Sequence, residues 1–203
     1  MIAPGVAKHE EEIVLAPGAE PAADPNLVLR VAVAAAEYGL PIAPGTLQNL
    51  KKCPIGDRNW TDESRELFIR LLASGPALLN VWEDIDFIDV PGKLIPEWLG
   101  VRNRPSASAA HRYTIDRHMV EVVTRLGRET PSGGRYDDRH YEALLLAGIL
   151  HDIGKRPGVA NHAAEGARHA TVVVERMGFD RDIVRWVTLL VREHLTLSEF
   201  ATG

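Results

Sequence analysis

The stretch LLLAGILHDIGK, residues 144–155, decides the fold. Leu144 to Leu150 is apolar on nearly every side, the pattern of a central buried helix. The run then ends abruptly in His151, Asp152 and Lys155. Ionisable groups at the end of a buried helix need partners, because an unpaired charge in an apolar setting costs several kcal/mol. The available partners are an opposing side chain, water or a metal ion.

Working outward, HYEALLLAGILHD extends the same helix upstream, and Gly154 is expected to supply its C-terminal stop. TIDRHMVEVVTRL (114–126) places Ile115, Met119, Val122, Val123 and Leu126 on one helical face, with Thr114 as the cap. RETPSGGRYDD reads as a loop. HAAEGARHATVVVERMG forms the next helix and ends at Gly178. DRDIVRWVTLLVREHL starts at Asp180 and carries Ile183, Val184, Val187, Leu190 and Val191 on one stripe.

The first half is also helical. NLVLRVAVAAAEYG (26–39) stops at Gly39 ahead of Pro41. WTDESRELFIRLLASG (60–75) opens with Thr61 or Asp62 as N-cap and closes at Gly75. Residues 76–90 hold a further short helix. PGKLIPEWLGVRNRPSASAAHR (91–112), with three prolines, reads as a connector between two helical halves. Residues 1–25, acidic and rich in Ala and Pro, read as a disordered leader without the order of a secretory signal. No segment shows strand alternation or an internal repeat. The expected fold is all-α: a helical bundle over 111–203, preceded by a smaller helical linker segment over 26–110.

Composition narrows the function. The 203 residues are 45% hydrophobic and 25% charged, ordinary for a globular chain long enough to bury a real core. A net charge of -5 argues against a broad nucleic-acid or membrane-surface footprint. Cys53 is the single cysteine, so neither an internal disulfide nor a cysteine metal cluster is available. The longest apolar runs, Val31–Ala36 and Ala143–Leu150, are too short to cross a bilayer. A reducing, cytoplasmic setting is expected.

Of eight histidines, four have informative positions. His118 lies inside the apolar stripe of its helix, one turn from Ile115 and from Val122. His194 continues the stripe of Val187, Leu190 and Val191. His151 ends the central helix beside Asp152, and His162 opens the following helix. Taken singly, each has a plain structural reading: an imidazole bonded to a backbone carbonyl, Asp152 in a salt bridge, Lys155 solvated near a helix C-terminus. Taken together, neutral imidazoles and a carboxylate facing one volume make a metal site of mixed N/O ligands. His9, His140 and His169 lack this pattern and are expected at the surface. His111, in the connector, has a structural role or touches substrate.

TIDRH followed by LLLAGILHDIGK resembles the HD superfamily of metal-dependent phosphohydrolases, whose signature is a His, a His-Asp pair and a distant Asp. IPEWLGVRNRPSASAAHRYTIDRHMVEVV, HDIGKRPG, MGFDRD and LVREHL together resemble the bifunctional uridylyltransferase/uridylyl-removing enzymes that act on the PII signal protein. The similarity runs from about Pro25 to Gly203. In that family this stretch lies between a nucleotidyltransferase domain and two glutamine-sensing ACT domains. Neither is visible here, so the chain reads as a central fragment.

The resemblance implies that His118, His151, Asp152, His162 and His194 hold a divalent metal ion (Mn, Mg, Fe or Zn). It implies roles in catalysis for Asp152 and Lys155. Arg192 is either a further anion contact or a solvated surface residue. The closing aspartate of the signature falls beyond Gly203; Asp180 and Asp182 belong to a helix start well before His194, and Glu199 is the candidate substitute. The implied activity is metal-dependent hydrolysis that removes a nucleotidyl group, UMP or AMP, from a tyrosine of nucleotidylated PII. Two alternatives stand beside it: an HD phosphohydrolase of small nucleotides, and a non-catalytic helical module coupling the flanking domains.

Overall fold

A computed structural model describes residues 1–55, 60–105, 113–127 and 138–196. Among these residues the architecture is all-α apart from one two-stranded ribbon. That ribbon corrects the reading of residues 1–25 as a disordered leader. Strands β1 (Val6–His9) and β2 (Glu12–Leu15) pair antiparallel with Val6 opposite Leu15. Val6 and Ile13 are fully buried, and the Ile13 backbone bonds Pro41 and Ala43 on either side. Four-residue strands around a run of glutamates leave too little alternation to read in sequence, and burial of two side chains decides the conformation.

Helix α1 (Leu27–Tyr38) follows, buried on most of its surface, and Gly39 closes it in the left-handed conformation at φ 64°. A short α2 (Pro44–Leu50), which the pattern did not announce, begins on its proline. Helix α3 (Asp62–Leu72) is opened by Thr61, whose side chain and that of Ser64 form a reciprocal capping box. Asn26 joins this cap, accepting from the Ser64 hydroxyl at 2.9 Å and donating to Glu63 at 2.6 Å, so the entries to α1 and α3 are tied together. Helix α4 is Ala77–Phe87.

The expected connector contains two ordered turns, α5 (Val90–Leu94) and a 3-10 helix (Pro96–Gly100). Pro91 and Pro96 start these turns, because a missing N–H is no loss in a first helical turn. Trp98 is fully buried there, edge-on to Trp82 of α4 with ring centroids 5.4 Å apart.

The second half is built from α6 (Ile115–Leu126), α7 (Asp138–Leu150), α8 (His162–Arg176) and α9 (Arg181–Arg192). Thr114 takes the N-cap position of α6 without a side-chain cap bond. Asp180 caps α9 through the backbone of Asp182 and Ile183. Helix α7 is the central rod, packed against α3, α6, α8 and α9. Its residues Ala143 and Leu145 to Leu150 are all buried. The two halves meet where α4 packs on α6 and α3 on α7. Arg176 of α8 clamps Glu97 of the 3-10 helix with two bonds of 2.9 and 2.7 Å. The RETPSGGRYDD loop, His111 and Glu199 lie outside the described residues. Among the described residues no helix is long and apolar enough to cross a membrane.

Candidate metal centre

The polar end of α7 is where four helices deliver imidazoles. His151 follows the last residue of α7, His118 comes from α6, His162 opens α8 and His194 follows the end of α9. Adjacent rings stand 5.2 Å (His118–His151), 5.3 Å (His151–His194) and 5.7 Å (His162–His194) apart between centroids. Asp152 lies at their centre and is 2% exposed. Its carboxylate is 3.6 Å from His151 Nε2, 3.5 Å from His194 Nε2, 3.9 Å from His162 Nε2 and 3.3 Å from Lys155 Nζ. His118, His151 and Asp152 form one group whose ligand atoms lie within 4.8 Å of one another, and Asp152, His162 and His194 form a second.

Helix ends set the direction of two rings. His151 Nδ1 is 2.8 Å from the Gly148 carbonyl and His194 Nδ1 is 2.7 Å from the Val191 carbonyl. A carbonyl only accepts, so Nδ1 carries the proton in each neutral ring and Nε2 turns its lone pair inward. These carbonyls belong to the last turns of α7 and α9, where no further helical N–H is available to them.

The electrostatics of the cluster are mutually dependent. Burial drives the His151 imidazole down to about 4, against the pull of Asp152 toward the charged form. Burial also lowers His162. Desolvation opposes charge on Asp152, yet the facing His194, His151 and Lys155 outweigh it and hold the carboxyl below the usual carboxylate range. His194 is lowered by burial but raised more by Asp152 and the Val191 carbonyl, with a net upward shift. The result at neutral pH is an ionised carboxylate among imidazoles of which at least two favour the neutral, ligating form.

One feature is costly without a cation. The Nε2 atoms of His162 and His194 are buried and have no hydrogen-bond partner among the described residues. With His194 neutral, its lone pair faces a carboxylate oxygen at 3.5 Å with no proton between them. Two acceptors opposed in a buried site repel each other, and either a proton or a metal ion between them removes that cost. The residues present fit a divalent ion with nitrogen and oxygen donors.

All five positions read from the sequence as ligands, together with Lys155, are thus brought to one place. Gly154 is not a left-handed helix stop. It is required where the turn after α7 crosses the start of α8, because a Cβ there would meet the Gly166 backbone. Arg192 is exposed. His140 is exposed and stacked on Trp186 at 4.1 Å. His169 is not the surface residue expected: its side chain is 12% exposed and 3.0 Å from Glu165.

A cavity of about 450 Å³ opens beside the cluster, and Val122, Leu126, Leu144, Leu190 and Leu195 line its wall. Sequence reading assigned Val122, Leu126 and Leu190 to helix cores. A signal was present: Val122 and Leu126 follow His118 by one and two turns, Leu144 precedes His151 by two, and Leu190 precedes His194 by one.

Fold and site define a class: a helical bundle with a buried histidine–aspartate centre at the end of its core helix. Comparison with known proteins then places the chain. Over nearly its whole length it is related to a segment of proteins named bifunctional uridylyltransferase/uridylyl-removing enzyme. It is 39% identical over 99% of its length to the enzyme of that name from Streptomyces coelicolor, and 39% identical over 98% to that from Mycobacterium tuberculosis. The Corynebacterium glutamicum enzyme is 33% identical over 88% of the chain. The chain spans only about a quarter of the length of these curated relatives: 24%, 24% and 25%. No protein-family model matches the chain.

Proposed function

We propose that this chain is the nucleotidyl-removing part of such an enzyme, an HD-type phosphodiesterase acting on nucleotidylated PII. The observation that carries the reading is the buried Asp152 among four imidazoles, with the His162 and His194 Nε2 atoms lacking hydrogen-bond partners among the described residues. The relatives' name, with its uridylyl-removing activity, supports it.

His118, His151, Asp152, His162 and His194 would hold the ion. A divalent cation in such a site supplies Lewis-acid charge that lowers the pKa of water toward neutrality and offsets charge on phosphoryl oxygens. Asp152 keeps the site anionic before loading and accepts hydrogen bonds within it. Lys155, 3.3 Å from Asp152, sets an ammonium beside the place where a phosphoryl group develops negative charge. A ligand covering the apolar wall beside the centre would displace water from that side and strengthen each of these interactions.

The test is calorimetry with Mn²⁺ followed by incubation of the loaded chain with PII carrying UMP or AMP on tyrosine. Binding with release of the nucleotide, both lost in His151→Ala, is the expected result. Release from free nucleotides but not from PII would replace the reading with a small-nucleotide phosphohydrolase. A stable chain that binds no divalent ion would leave only a helical coupling module.

A further inference from the structure

Helix α8 crosses the turn after α7 near its own start, where a Cβ on Gly154 would stand 2.7 Å from the Gly166 Cα. Gly166 comes four residues after His162 and ten before Arg176. At a rise of about 1.5 Å per residue, His162 ends a short arm of about 6 Å and Arg176 a long arm of about 15 Å. Two glycines in contact fix a distance, but without interlocking side chains they do not fix an angle. A tilt of α8 about this pivot would move His162 against Asp152 by about 0.4 Å for each 1 Å at Arg176. Ligand sites need their groups held to within about 0.5 Å, so the tilt matters. Packing on α9, reinforced by the Thr171–Thr188 hydroxyl pair at 2.7 Å, resists it from one side.

The long arm ends on Glu97. Arg176 donates to both oxygens of that carboxylate, and the Glu97 side chain is only 13% exposed. The carbonyl of the same residue accepts from Arg156 Nη2 at 2.9 Å. Arg156 directly follows Lys155, and its turn is knit by bonds from Lys155 N to the Asp152 carbonyl and from Arg156 N to the Gly154 carbonyl, both 2.9 Å. Glu97 therefore grips the far end of the lever and the turn on which the lever pivots. Arg65 of α3 holds the same end of α8 through the Met177 carbonyl at 3.2 Å, but it does not reach the turn. The 3-10 helix is itself anchored by the buried Trp98.

Stability alone is a poor account of Arg156. Its Nε is buried with no hydrogen-bond partner among the described residues, and its guanidinium lies where a Cβ on Gly100 would stand 2.6 Å from Cζ. An unbonded buried donor costs stability, and a methionine of similar length would fill the space without that cost. What the arginine supplies is direction, because its planar fork meets the carbonyl in one geometry.

We infer that Glu97 is a positioning residue for the metal centre: it latches α8 at a set tilt over the turn and so holds His162 in register with Asp152. The two arginines act as the ends of the latch, Arg176 on the helix and Arg156 on the turn. This inference rests on the metal-dependent reading above and goes beyond it by placing a control of the centre in the connector.

The test uses the full chain with Glu97→Gln, Arg156→Met, the two combined, and Arg156→Lys, which keeps a donor for the carbonyl. Mn²⁺ affinity is measured by calorimetry, and the His162 ring nitrogens are followed by NMR in the metal-free chain at one fixed pH. Glu97→Gln and Arg156→Met are each expected to weaken Mn²⁺ binding about three- to tenfold, less than the roughly 10–100-fold attached to groups bonded directly to ligands. The double variant should lose no more than the worse single one, because opening either end releases the latch. Arg156→Lys should bind Mn²⁺ as the parent does. Ile13→Ala, on the N-terminal ribbon, is the control: it should lower the denaturation midpoint and leave Mn²⁺ affinity and the His162 signals unchanged. Parental affinity in both single variants overturns the latch, as do losses that multiply in the double variant or that Ile13→Ala reproduces. If the parent binds no Mn²⁺, the metal-dependent function falls and the His162 signals decide the latch: shifts in both single variants uphold it, and unshifted signals overturn it.

Discussion

Gly154 packs directly on Gly166: a Cβ on Gly154 would stand 2.7 Å from the Gly166 Cα and closer still to its nitrogen and the His162 carbonyl. Two glycines at one crossing let the turn that carries His151 and Asp152 touch the helix that carries His162. The backbone contact, rather than any side chain, sets the spacing across the cluster.

Gly154→Ala is therefore expected to push α8 away from the end of α7. The predicted cost is about 1–3 kcal/mol in chemical denaturation, the range for overpacking. Weaker Mn²⁺ binding should accompany it, since His162 moves with α8. An alanine variant with parental stability and metal affinity would contradict the close approach.

Asp152→Asn removes the charge that every imidazole of the cluster faces. Mn²⁺ affinity is expected to fall at least about 100-fold, beyond the roughly 10–100-fold attached to outer-sphere partners of metal ligands. His194→Gln should also weaken binding. Calorimetry on the folded variants decides the matter; retained affinity in Asp152→Asn would remove Asp152 from the ligand set.

Glu97 and Arg176 give a pH signature away from the metal centre. Burial works to raise the Glu97 carboxyl, but the two-pronged Arg176 contact outweighs it and leaves the group below its ordinary value of 4.5. A carboxyl depressed in the folded state stabilises above the unfolded value, and that contribution is lost as pH falls through the folded one. Glu97→Gln should cost about 1 kcal/mol at pH 7, discounted for the exposure of Arg176. The gap between parent and variant should close below pH 4.5. A gap independent of pH over that window would rule out the charged pair as its source.

The N-terminal ribbon is predicted to be part of the fold. Ile13→Ala removes a fully buried side chain and should cost about 2–4 kcal/mol. Proteolysis of the native chain should leave residues 1–25 attached. Ready removal of that segment, or an unaltered denaturation midpoint in Ile13→Ala, would mean that the ribbon contributes little.

The helices α1, α3, α4 and α6 to α9 were legible from apolar spacing, reinforced by side-chain caps at some of them, as in Thr61 before α3 and Asp180 before α9. The ribbon was not legible, because Ile13 is decided by contact with residues 41–43, which no local pattern encodes. The two prolines of the connector read as breakers, and they are also good first residues of short helices; burial of Trp98 selects between those meanings.

The chain's own order of residues determined that its core would be helical, that one rod would be apolar nearly all round, and that His118, His151, Asp152, His162 and His194 would sit at helix faces and ends. These are local properties, carried by spacing and capping. Only the tertiary structure decided that those five groups converge, that two Nε2 atoms are buried with no hydrogen-bond partner among the described residues, and that Val122, Leu144 and Leu190 line a cavity. The physical reason is that convergence depends on how closely backbones approach, as Gly154 does to Gly166. That distance is set by packing between segments far apart in sequence.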